Sequence, residues 1–108
     1  MWTNSVLLVG LVTGTGEEVE LPSGDLLTKF RVVVPREKPE TKVVVDTIDC
    51  VAFKPAIQKK IMKLELEDVV EIEGSLRRRF WQGSTGVASK VEVEVSSLKP
   101  IKRDGHVS

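Results

Sequence analysis

Val69-Val70-Glu71-Ile72-Glu73-Gly74-Ser75-Leu76-Arg77-Arg78-Arg79-Phe80-Trp81, followed by Gln82-Gly83-Ser84-Thr85-Gly86 and then by Ala88 to Leu98, is the stretch that decides the fold. Apolar and polar residues alternate on both sides of a short connection, the pattern of two long strands folded back as a hairpin. The glycines of the connection permit the positive backbone angles that such turns use.

The same pattern repeats upstream. Asn4 to Thr13 reads as a first strand, with Gly10 as the expected bulge where it bends. Thr15 and Gly16 read as a turn into Glu17 to Leu21, and Pro22-Ser23-Gly24-Asp25 as the next turn, giving a two-strand meander. Leu26 to Val34 follows, with Thr28, Phe30, Val32 and Val34 on one face and Lys29, Arg31 and Val33 on the other. Pro35 to Lys42 is charged, carries two prolines and reads as a loop. Val43 to Phe53 is another strand. Pro55 to Leu64 places Ala56, Ile57, Ile61 and Leu64 at helical spacing, with Pro55 suited to the first turn. Three strands, one helix and two strands predict an all-β domain with a single helix, a five-stranded Greek-key OB-fold barrel. It is expected over residues 1–101, with 102–108 as a short tail.

Composition narrows the function. The chain has 108 residues, 41% hydrophobic and 30% charged, which suits one globular domain. The apolar runs Val6 to Val9 and Val32 to Val34 fall far short of the roughly 18 residues of a membrane span, and no signal peptide opens the chain, so a cytoplasmic protein without a membrane partner is expected. Cys50, the single cysteine, lies in an apolar strand pattern and reads as a buried thiol. The only histidine, His106, lies in the tail, and no metal-ligand spacing, nucleophile with its base, or Gly-Lys-Ser/Thr phosphate loop is found. Neither an enzyme nor a cofactor is expected. Net charge is zero, but the charges are segregated: Glu17, Glu18 and Glu20, Glu65 to Glu73, and Glu92 with Glu94 are acidic, while Arg77 to Arg79 adjoin Phe80 and Trp81.

Strand geometry puts Arg77, Arg79 and Trp81 on one side of the hairpin. Two cations beside a ring suit a single nucleic-acid strand, whose bases stack on aromatics while its phosphates meet arginines. In isolation the same row fits a half-buried tryptophan with solvating arginines equally well. Phe53 beside Lys54 is another aromatic next to a cation, for which core packing is the simpler isolated reading. Lys29 and Arg31 add charge one strand over, and Arg36 and Lys42 add it in the loop. Phe30 is assigned to the core and Trp2 to an edge or subunit contact.

Four segments together resemble the bacterial single-stranded-DNA-binding protein family: Asn4 to Val12, Pro22-Ser23-Gly24 with Lys29-Phe30-Arg31-Val32, Ile48 to Phe53, and Val70 to Arg77 with Arg79 and Trp81. The resemblance covers about Asn4 to Ile101. It implies an OB-fold protomer, assembled as a homotetramer with a dimer as the alternative, that binds single-stranded DNA in replication, recombination or repair at the bacterial nucleoid. Trp81 and Phe53 match stacking positions, and Arg77, Arg79, Lys29, Arg31 and Lys54 match or neighbour basic ones. Three departures are visible. Thr47 stands where many members place an aromatic, Asp49 adds an acid, and the loop from Arg36 to Lys42 has no aromatic, which together imply weaker or shorter-site binding. The chain given ends at Ser108 without the glycine- and glutamine-rich linker and acidic tip through which typical members recruit enzymes, so a short form without that recruitment is expected. The competing reading is a dimeric OB interaction or replication-restart accessory protein with weak DNA binding; zero net charge, Thr47 and Asp49 favour it, and the Arg77, Arg79, Trp81 row opposes it.

Overall fold

The computed structural model describes residues 1–37 and 44–101; Lys42 and the tail from 102 to 108 lie outside the described residues. Five strands and one helix follow in the order β1 (Val6–Glu20), β2 (Leu26–Pro35), β3 (Val45–Ala52), α1 (Pro55–Met62), β4 (Val69–Gly83) and β5 (Gly86–Ile101). The strands close into a barrel in the order β1-β2-β3-β5-β4. All neighbouring pairs are antiparallel except β3 with β5, which meet in parallel through Cys50 opposite Val93 and Val51 opposite Glu94. The expected five-stranded Greek-key barrel with one helix is what forms.

The predicted meander is corrected. Thr15 and Gly16 do not turn the chain; they lie inside β1, a single strand of 15 residues. Its first half, Val6 to Leu11, pairs with β4, and from Leu11 onward it pairs with β2. The bend lies later than expected as well. Gly10 pairs in register with Val70, and the register shifts fall between Val12 and Gly14 and between Gly14 and Glu17. Gly10 serves close approach instead: a Cβ there would stand 2.6 Å from the Val33 carbonyl oxygen. The turn at Leu21 to Asp25 forms as expected, closed by Leu21 N–H donating to the Asp25 carbonyl at 2.8 Å and by Gly24 at a φ of +93°.

The core gathers Val12, Phe30, Val32, Val70, Ile72, Val93, Val95 and Leu98 from the strands, and α1 covers one end with Ile57 and Ile61. Gln58 fastens that helix by donating to the Leu26 and Ala52 carbonyls at 3.1 and 3.0 Å. The helix ends at Met62 rather than Leu64, yet Leu64 is still buried.

The β4–β5 hairpin runs from Val69↔Ile101 to Gly83↔Gly86, so the turn is only Ser84-Thr85, tighter than the five-residue connection expected. A register shift at Glu73/Gly74 bends its base, where Ser96 Oγ donates to the Glu73 carbonyl at 3.1 Å. A Cβ on Gly74 would stand 2.1 Å from the Glu94 carbonyl oxygen, a backbone atom that cannot swing aside. Gly74→Ala is therefore expected to cost about 1–3 kcal/mol through overpacking. Urea unfolding checks this; a loss within experimental error would show that the base of the hairpin is not tightly fitted.

Candidate nucleic-acid interface

Directly opposed residues of an antiparallel pair share a face. In the hairpin, Arg77 opposes Glu92, Arg79 opposes Lys90 and Trp81 opposes Ala88, so the row read from the sequence is extended by Lys90 from β5. Trp81 is 47% exposed. The opposite face carries Leu76 with Val93, Arg78 with Val91 and Phe80 with Ser89, and it is mainly apolar.

Two adjoining grooves form beside the row. One is lined by Leu21, Pro22 and Ser23 of the β1–β2 turn, Lys29 of β2, Arg79, Phe80 and Trp81 of β4, and Lys90. The other is lined by Gly14, Thr15 and Glu17 of β1, Lys29, Phe30 and Arg31 of β2, Asp49 and Cys50 of β3, and Lys90 with Glu92 of β5. Lys29 and Lys90 line both. The structure thus brings Lys29, Arg31, Arg79 and Trp81 together, as the sequence suggested. Arg77 continues the row outside either groove. Phe53 and Lys54 line neither: Phe53, 37% exposed, follows β3, and Lys54 is the N-cap position of α1.

The electrostatics are more constrained than a row of cations suggests. Glu92, with its side chain 1% exposed, receives both Nε and Nη2 of Arg79 in a fork, the Nη2 contact being 3.0 Å. A buried carboxylate demands such a partner, because leaving the charge unpaired costs several kcal/mol. Arg77 Nε donates to Glu94 at 3.2 Å. Arg31 Nε reaches Asp49 Oδ1 at 2.8 Å, and Lys90 Nζ reaches Asp49 Oδ2 at 3.1 Å. Arg36 forks onto Asp46, with Nη2 at 2.9 Å, beside the β2–β3 connection. Lys29, by contrast, has no ion pair among the described residues.

Partial burial alone would raise the Asp49 carboxyl, but hydrogen bonds from Arg31 and Lys90, with their charges, outweigh it and hold the group below the ordinary carboxylate range. The stabilisation this supplies is complete above that range and is lost as pH falls through the lowered value. The hydrogen bonds of Arg36 lower Asp46 in the same way. Cys50 moves in the opposite sense: burial, aided by the charges of Asp49 and Glu92, pushes its thiol up to about 12.

Lys90 and Glu92 are parts of the site that sequence reasoning did not assign to it, whereas Asp49 was read there as an acid that weakens binding. Lys90 had a findable signal, since it follows the hairpin and alternation puts it with Glu92 and Glu94. The burial of Glu92 had none, because it depends on how β5 meets β3. Trp2 is fully exposed and precedes the first strand. No group of three or more potential metal ligands exists among the described residues.

A family profile described as "Single-strand binding protein family" matches residues 3–101. The chain belongs to this family. The family's activity is the binding of single-stranded DNA, and it is not a family of catalysts. Among solved structures, the fold is similar to that of "Plasmodium falciparum SSB complex with ssDNA", with a TM-score of 0.76 and 23% identity, covering 94% of this chain and 97% of that one. Among curated proteins the comparison finds no match. No helix among the described residues is long and apolar enough to cross a membrane.

The environment of Cys50 gives a direct check on this geometry. The thiol is expected to resist an aromatic disulfide reagent at pH 8 in the folded protein and to react stoichiometrically in urea. Rapid labelling of the native state would contradict the burial of the β3–β5 seam.

Proposed function

We propose that single-stranded DNA lies across the face formed by Trp81, Arg79, Lys90, Lys29 and Arg31, with a base stacked on Trp81 and phosphates drawn to the cations. The observation that carries this reading is the convergence of an exposed tryptophan, a lysine with no ion pair among the described residues and three further cations, from β2, β4 and β5, on one pair of grooves. Stacking accepts any base and phosphate attraction reads no sequence, so binding is sequence-tolerant. Arg77, Phe53 and Lys54 extend the path, and Arg36 flanks it beside the β2–β3 connection. On this reading the protein acts by binding single-stranded DNA in the cytoplasm during replication, recombination or repair.

Trp81→Ala is expected to weaken oligo-dT binding by about 1–3 kcal/mol without unfolding the barrel. Tryptophan quenching in a Trp2→Phe background reads the wild-type interaction, and fluorescence polarisation of a labelled oligonucleotide reads the mutant. Equal affinity in a folded Trp81→Ala variant would remove the stacking role.

We also propose that the protein assembles as a homotetramer, with a homodimer as the alternative. Its support is apolar surface: Leu7 and Val9 on β1, and Leu76, Phe80, Val87 and Val91 on the hairpin, are all exposed in the single chain. Light scattering at micromolar concentration is expected to give a multiple of the 12.0 kDa chain mass. A monomer under these conditions would contradict it.

A further inference from the structure

On the reading that DNA occupies this face, we propose that Asp49 is a built-in competitor for the phosphate backbone, a residue that sets the affinity and the salt dependence of single-strand binding. Asp49 stands directly opposite Arg31 in the β2–β3 register and gives one carboxylate oxygen to each of two cations, Oδ1 to Arg31 and Oδ2 to Lys90. Both cations line the groove in which phosphates would be held. A phosphate that takes the Arg31 Nε–H or the Lys90 hydrogen now held by Asp49 must displace that carboxylate, and one that takes the remaining donors must share the cation with it.

Exposure separates this acid from its neighbour Glu92. The Asp49 side chain is 30% exposed and its partners are 54% and 35% exposed, so water reaches the pairs and they exchange readily. Glu92 is sealed beneath Arg79 and fixes the position of that guanidinium. Of the acids lining the groove, Glu92 thus holds a cation in place and Asp49 occupies cations DNA would use, while Glu17 has no ion pair among the described residues.

The consequence is thermodynamic. Phosphate neutralisation by a protein cation releases about 0.7 counterion per contact on a single strand. A displaced Asp49 carboxylate takes up a cation in return, so part of the release is cancelled. Binding is weakened, and its dependence on salt is flattened.

Asp49→Asn keeps the shape and removes the charge. Oligo-dT titrations across a series of salt concentrations are expected to show binding about twofold to tenfold tighter at low salt, the range that loss of one or two exposed ion pairs allows. The log–log salt slope is expected to steepen by up to about one. In an Arg31→Gln, Lys90→Gln background the same substitution should give no gain, because the cations it frees are gone. Asp49→Ser serves the same comparison should the asparagine variant melt early. Unchanged or weaker binding by folded Asp49 variants overturns the inference, as does a gain that persists in the double-substituted background, which would show simple repulsion of phosphate. If wild-type protein fails to bind oligo-dT at all, the underlying assignment of the face is what falls; wild-type binding that Trp81→Ala weakens, with Asp49→Asn neutral, overturns the present inference alone.

Discussion

Leu11 has two partners at once, Val69 on β4 and Val33 on β2, and the barrel closes because β1 bends between them. Five strands are too few to curl smoothly, so curvature is concentrated at irregularities. The register shifts around Gly14 and the close approach at Gly10 supply it in β1, and the shift at Gly74 supplies it at the base of the hairpin. The same bends place the functional groups. Gly14 and Thr15, at the irregular part of β1, line the groove with Lys29, Arg31, Asp49 and Lys90.

Around that groove, the cations are held by acids that the same strands bring along. Arg31 and Asp49 are cross-strand partners, and Arg79 and Glu92 are diagonal ones, so the sheet register fixes which charges meet. Zero net charge is thus a local fact as well as a sum over the chain. Trp81, with Phe80, Leu21 and Pro22, gives the groove beside Arg79 an apolar wall, which makes stacking an interaction that the protein does not have to exchange for one of its own. Phosphate attraction alone would be a poor source of affinity on such a surface, and in the proposed binding mode stacking on the half-exposed ring compensates for it.

Much of this was legible in the sequence. The hairpin from Val69 to Leu98, the turn at Pro22 to Asp25, the core face of Thr28, Phe30 and Val32, and the helix opened by Pro55 all follow from local alternation, turn chemistry and helical spacing. The row of Arg77, Arg79 and Trp81 follows from period two. What escaped was non-local. The Thr15-Gly16 pair has the composition of a turn, but β1 continues through it because each half finds a different partner. Gly10 looks like a bulge, yet it is small because β2 passes beside it. Glu92 sits in an alternating Val-Glu-Val-Glu run with no local sign of burial, yet it is buried beneath Arg79 beside the parallel β3–β5 contact. Phe53 and Lys54 share the basic and aromatic character of the row, but the end of β3 places them beside the helix instead of in the grooves.

The central claim is that one face of the hairpin, and not the other, receives the DNA. Trp81 projects from that face, whereas Trp2, fully exposed before the first strand, lines neither groove, so the two indoles give distinct readouts. A titration of isotopically labelled protein with oligo-dT, following the two indole N–H signals by nuclear magnetic resonance, tests the claim most directly. The account predicts a large, saturable shift of the Trp81 indole with the Trp2 indole nearly still. Saturating binding that leaves Trp81 unmoved, while shifts gather on the side chains of Leu76 and Val91 on the opposite face, would contradict it.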